Sequence, residues 1–177
     1  MVKSIPGLDL TISALAKIGF KYCGDTQSDS KAHTDVKKKI VCIGRDKSAA
    51  EACLSLAYEA TNAKNGLKIQ DVYRRYLSDK MPSMEKAIMY ANEILQIEAE
   101  AVFNRSAVAI STGIEPLVKN KKYLEIVRLN RDPSSTIFEI FSEMKKNGTV
   151  HNGKKKAFDH YVSQYFEYNR RPTQSSS

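Results

Sequence analysis

No apolar run in this chain approaches the ~20 residues that a bilayer-spanning helix requires. The N-terminus, MVKSIPGLDL, lacks the apolar stretch and small-residue cleavage pattern of a secretory signal. A chain with neither segment is expected in the cytoplasm, or outside the cell by a route that needs no signal peptide. Cysteine is scarce as well. Cys23, Cys42 and Cys53 are odd in number and form no C-x-x-C pair, which argues against a disulfide framework. All three read as small buried thiols, Cys42 within a strand and Cys53 on the apolar face of a helix. There is no G-x-G-x-x-G, no P-loop and no G-x-S-x-G, so nucleotide and serine-hydrolase chemistries lack their usual cradles. No cofactor is expected.

What is present is an ordinary globular balance: 177 residues, 42% hydrophobic and 27% charged. That suffices for one domain with a substantial core. The domain is expected over 1–169, with a disordered tail at 170–177. The net charge of +8 sits largely in loop-like lysine clusters: Lys119, Lys121 and Lys122; Lys145 and Lys146; Lys154, Lys155 and Lys156. Lysine makes point-charge contacts rather than bidentate ones. These clusters read either as solvated surface or as a patch steering an acidic protein partner. The same charge would give nucleic acid only salt-sensitive, non-specific affinity. No helix-turn-helix, zinc finger or aromatic-basic RNA-binding strand accompanies it.

The patterning predicts a predominantly helical α+β domain of about six helices, with a small strand element near 37–44. Asp9 caps a short helix to Lys17 or Ile18, stopped by Gly19. The polar stretch 24–35 reads as an exposed loop holding His33. Lys37–Gly44, with Ile40, Val41 and Ile43, reads as a single strand or small hairpin. Ser48 and Glu51 make an S-x-x-E capping box for a helix that Gly66 stops. Ile69–Leu77 is a short amphipathic helix with Val72, Tyr73, Tyr76 and Leu77 inward. Ser83 opens the longest helix, which ends at Gly113. Its inward stripe is Met84, Ala87, Ile88, Ala91, Ile94, Leu95, Ala101, Val102 and Val108. Helical segments follow over 115–129 and from Ser134 or Ser135 to Gly148. The last helix shows an aromatic stripe of Phe158, Tyr161, Val162, Tyr165 and Phe166.

Two features carry chemistry. The helix from Ser48 is apolar over most of its circumference, and its polar sector holds Glu51, Ser55, Tyr58, Glu59 and Asn62. The long helix carries Glu98 and Arg105, seven residues apart, where the stripe calls for apolar side chains. Charges at such positions have a partner, line a cavity, or lie where the stripe has rotated into solvent. His151 and His160 lack any metal-ligand spacing and read as structural or exposed, although His160 beside Asp159 has the makings of a general base in a cleft.

The order of a β-branched strand, a turn and the helix LAYEATNA resembles the layout of zinc peptidases of the His-Glu-x-x-His type. There, two histidines at i and i+4 hold the metal and the intervening glutamate acts as base. Tyr58 and Asn62 stand at the two histidine positions and Glu59 at the base position. Downstream, IEAEA with Glu98 resembles the helix that supplies a third ligand. Residues 37–108 therefore resemble a degraded zincin-like domain of the kind found in bacterial effectors and polymorphic toxins. The resemblance implies a cleft without metal, in which Glu59, Asn62 and Glu98 face one another.

The function expected from these features is that of a bacterial effector-type interaction protein. It would bind a protein partner through a cleft of Tyr58, Glu59, Asn62, Glu98 and Arg105. Lys119, Lys121, Lys122, Lys154, Lys155 and Lys156 would steer that partner in. Two other classes compete: a hydrolase using Glu59 or Glu98 as general base, and a non-specific nucleic-acid binder.

Overall fold

The computed structural model of the chain describes residues 8–26, 32–44, 48–77, 81–130, 132–150 and 154–170. Within them the fold is predominantly helical with small sheets, an α+β arrangement. Helix α1 (Leu8–Lys17) leads into strands β1 (Lys21–Thr26), β2 (His33–Asp35) and β3 (Ile40–Gly44). Helices α2 (Ala49–Lys64), α3 (Gly66–Tyr76) and α4 (Met84–Thr112) follow, then a 3-10 turn (Glu115–Leu117), α5 (Lys121–Leu129) and α6 (Pro133–Asn147). Two-residue strands β4 (Thr149–Val150) and β5 (Lys155–Lys156) pair antiparallel before α7 (Ala157–Asn169). His151, the N-terminal lead-in and the tail at 171–177 lie outside the described residues. No helix among the described residues is long and apolar enough to cross a membrane.

Strand β3 is the middle of a three-stranded sheet, parallel to β1 and antiparallel to β2. Val41, Cys42 and Ile43 are buried there, as a central strand with short apolar residues should be. The sequence predicts a single strand or small hairpin over Lys37–Gly44. Instead Lys37–Lys39 belong to a turn, with Lys39 at φ 53°, and β2 arises inside the expected loop. His-Thr-Asp is too short and polar to announce a strand; pairing with β3 makes it one.

The sheet also corrects the reading of the cysteines. Cys23 and Cys42 form a disulfide, with Cα atoms 5.2 Å apart. Parallel pairing of β1 with β3 brings together residues 19 positions apart, a proximity no local spacing reveals. Cys53 is the one free, buried thiol, and burial raises its pKa.

Helix α2 begins as expected: the Ser48 side chain accepts from the Glu51 amide, and the Glu51 carboxylate accepts from the Ser48 amide. Its end differs. Asn65 closes α2, and Gly66 opens α3 rather than stopping α2. Glycine is needed there for space: a Cβ on Gly66 would sit 2.8 Å from Val36 Cγ1.

Helix α4 is the central rod, contacted by α2, α3, α5, α6 and α7. Ser83 caps its start, and Gly113, at φ 71°, ends it in the left-handed conformation. Because neighbours surround it, α4 buries more than one stripe. Tyr90, Ala99, Ser106 and Ala109 are buried along with Ala87, Ala91, Ile94, Leu95 and Ala101. Near its N-terminal end Met84 and Ile88 are exposed, contrary to the inward stripe. The aromatic stripe of α7 docks here: Tyr165 is fully buried, its ring 6.1 Å from that of Tyr90.

Candidate functional site

Helices α2 and α4 lie antiparallel and are tied along one side. The Asn65 carboxamide donates to Glu100 at 2.9 Å, and the Asn104 carboxamide donates to Thr61 Oγ1 at 3.0 Å. Glu100 is further engaged by Lys64 and Lys68, each at 3.6 Å. On another side the two helices, with β2, α3 and α7, border a cavity of about 980 Å³. Glu59 and Asn62 enter it from α2 and Glu98 from α4. His33 and Asp35 enter from β2, and Tyr73 and Tyr168 from α3 and α7.

Glu59 is buried, and β2 holds it in place. Thr34 Oγ1 lies 2.7 Å from Glu59 Oε2 and 3.0 Å from the Glu59 carbonyl oxygen, so its single proton is offered to two acceptors. Asn62, one helical turn along, is only 9% exposed, and its Oδ1 has no hydrogen-bond partner. Glu98 is half-buried and receives a hydrogen bond from the Tyr161 hydroxyl. Burial pushes its carboxyl up to about 7, against the weaker opposing pull of that bond. Tyr161 is raised in turn, by burial first and by the Glu98 charge second.

Two residues expected in the cleft lie outside it. Tyr58 is half-buried but does not line the cavity, since the step from Glu59 turns it ~100° around the helix. Arg105 is half-buried away from the cavity, its Nε without a partner, and burial lowers its pKa. The basic loops are also elsewhere. Lys121 Nζ donates to the carbonyls of Glu115 and Pro116, and Lys122 pairs with Glu125 at 3.1 Å. Lys119, Lys154 and Lys156 are exposed and Lys155 half-buried, and none lines the cavity. Its one lysine is Lys37, in the turn after β2. His160 stacks beside Tyr161, ring centroids 5.2 Å apart, outside the cavity.

Sequence reasoning missed Thr34, Asp35 and the tyrosines at the rim. Thr34 carries no signal, because only the sheet brings it to α2. Tyr73 was read as an inward residue of α3, whereas it is 43% exposed at the cavity. Among the described residues no three His, Cys, Asp or Glu side chains converge as a metal-ligand set. No protein-family model, curated protein sequence or solved structure matches the chain.

Proposed function

We propose that this chain is an interaction protein of the bacterial effector type, on a zincin-like scaffold, that receives a segment of a protein partner in the cavity between α2 and α4. The observation that carries this reading is a cavity of about 980 Å³ whose wall brings Glu59 and Asn62 of α2 together with Glu98 of α4. A few polar side chains placed in the wall of a cleft fix the orientation of what binds there. The cavity is large enough for side chains of a bound peptide. The lysine loops lie outside it and contribute steering of an acidic partner surface rather than contacts at this wall.

A second reading is favoured by one observation. A carboxyl titrating near 7 is matched to proton transfer at neutral pH, so Glu98 is the candidate general base of a hydrolase. One experiment separates the two. A random peptide library is passed over immobilised protein, and the retained material is sequenced from wild type and from the Asn62→Leu and Glu98→Gln variants. Intact peptides held by wild type and released by Asn62→Leu support the binding role. Fragments that disappear with Glu98→Gln support the hydrolase. Retention that neither substitution alters removes the cavity from the function.

A further inference from the structure

We infer that the end of the molecule where α6, the β4–β5 hairpin and α7 meet is a surface for single-stranded nucleic acid, with lysines on the phosphates and Phe138 stacked on a base. This goes beyond the cavity and does not depend on it. Lysines that steer an acidic protein surface from a distance also meet phosphates at contact.

The first argument is convergence. In the chain, Lys145 and Lys146 stand apart from Lys154, Lys155 and Lys156. The fold joins them. Lys145 and Lys146 lie in the last turn of α6, and β4 follows at once. Thr149 then pairs with Lys156 and Val150 with Lys155, across a spacing of ~4.8 Å. The Ala157 amide donates to the Gly148 carbonyl at 2.8 Å, which fixes the start of α7 against the end of α6.

The second is charge left uncompensated. Lys145, Lys146, Lys154 and Lys156 are exposed and Lys155 is half-buried. Among the described residues none of the five makes an ion pair. Two carboxylates share this stretch, Glu143 and Asp159. Glu143 accepts from the Asn147 carboxamide at 3.0 Å rather than pairing with a lysine. The loop around α5 differs, because Lys121 is held by backbone carbonyls and Lys122 by Glu125. Like charges gathered at one end repel each other, and phosphates relieve that repulsion while releasing their counterions.

The third is an aromatic ring in line with the cations. Phe138 is 64% exposed, although phenylalanine is ordinarily buried. Phe138, Phe141 and Lys145 fall at helical spacing on one face of α6, and the two phenylalanine rings are 6.2 Å apart. Lys145 Nζ in turn lies 5.2 Å from the centre of the Phe158 ring. A carboxylate-rich polypeptide is drawn by the lysines alone. A single strand uses both features, since its unpaired bases stack on aromatic faces while its phosphates meet the lysines. Point charges and a stacking ring read no base edges, so the binding is tolerant of sequence.

The test uses the full chain and a fluorescein-labelled oligothymidylate, with binding followed by anisotropy over a salt series. Five phosphate contacts predict a slope of about −3.5 in log affinity against log salt, so affinity falls about 100-fold between roughly 50 and 200 mM. Lys145→Gln with Lys146→Gln should make the slope shallower by about 1.4, and the triple change of Lys154, Lys155 and Lys156 to Gln by about 2.1. Having two separate variants guards against one of them folding poorly. Phe138→Ala should weaken binding about tenfold and keep the slope. Lys122→Gln and Asn62→Leu should change neither quantity. No binding at low salt, or a slope that both lysine variants leave intact, overturns the surface. A labelled polyglutamate bound as tightly as the oligonucleotide at each salt, with Phe138→Ala without effect on either, overturns nucleic acid in favour of an acidic protein. A duplex bound as tightly as the single strand overturns the stacking role.

Discussion

Thr34 Oγ1 donates across 2.7 Å to Glu59 Oε2, joining the short outer strand β2 to the middle of helix α2. The contact links residues 25 positions apart and fixes one wall of the cavity. Replacing Thr34 by valine keeps the shape and removes the donor from a buried carboxylate. Stability measured by urea denaturation is expected to fall by about 1–3 kcal/mol. Thr34→Ser, which retains the hydroxyl, should lose much less.

Glu98 gives the fold an inverted pH dependence. Its carboxyl is raised from 4.5 to about 7 in the folded protein, so the native state holds a proton that the unfolded chain releases. Its contribution to stability is therefore most favourable below about 4.5, falls as pH rises to about 7, and is level above that. Glu98 is only half-buried, and water in the cavity offsets part of the penalty. The loss is on the order of 1–2 kcal/mol. Glu98→Gln is expected to remove this component, leaving the variant more stable than wild type at pH 8 and not at pH 4.5. Denaturant midpoints across that range check it.

The Cys23–Cys42 link closes a loop within the sheet that carries Thr34. For a loop of this length, reduction is expected to cost about 3 kcal/mol. A reductant should lower the unfolding midpoint of wild type and leave a Cys23→Ser, Cys42→Ser double variant unchanged. Thiol titration of the unreduced chain should find one reactive group, Cys53, and only after unfolding, because burial raises its pKa.

A Cβ on Gly66 would crowd Val36, in the turn that follows β2. Gly66→Ala would normally favour a helix, yet here the new methyl meets Val36 Cγ1 at 2.8 Å. The variant is expected to be less stable by about 1–3 kcal/mol. Gly66→Ala combined with Val36→Ala should recover part of that loss, as thermal unfolding of the two variants would show.

Most helices were legible because they carry their own signals within a few residues, although Asp132, rather than Ser134 or Ser135, caps α6, and the segment 115–129 divides into a 3-10 turn and α5. Ser48 with Glu51, Ser83, and Gly113 mark ends through local hydrogen bonds or a left-handed turn, and the structure has them in those roles. Gly66 was misread because its reason is a distant side chain, Val36, rather than its own helix. The sheet was largely illegible: β2 exists because β3 pairs with it, and its three residues have no apolar alternation. The disulfide follows from the same long-range pairing.

The candidate site was partly legible for a related reason. Glu59 and Asn62 stand out on the polar sector of an otherwise apolar helix, and Glu98 stands out within an apolar stripe. Those are conflicts between pattern and residue, and they can be seen in one dimension. Which of the conflicting residues meet cannot. Arg105 shares the spacing of Glu98 but lies away from the cavity, and Tyr161 was visible only as one more aromatic in α7. Helix rotation and the angle of α7 decide these matters, and neither is written in local spacing.

The most direct measurement is an NMR titration of the full chain with a peptide retained from the library. It observes the Asn62 side-chain amide and the Glu98 carboxyl carbon together. If the two residues wall one binding cleft, both signals move with the same dissociation constant, and the Glu98 titration midpoint shifts away from about 7 once the peptide is bound. A peptide that binds while leaving both signals in place would contradict the account.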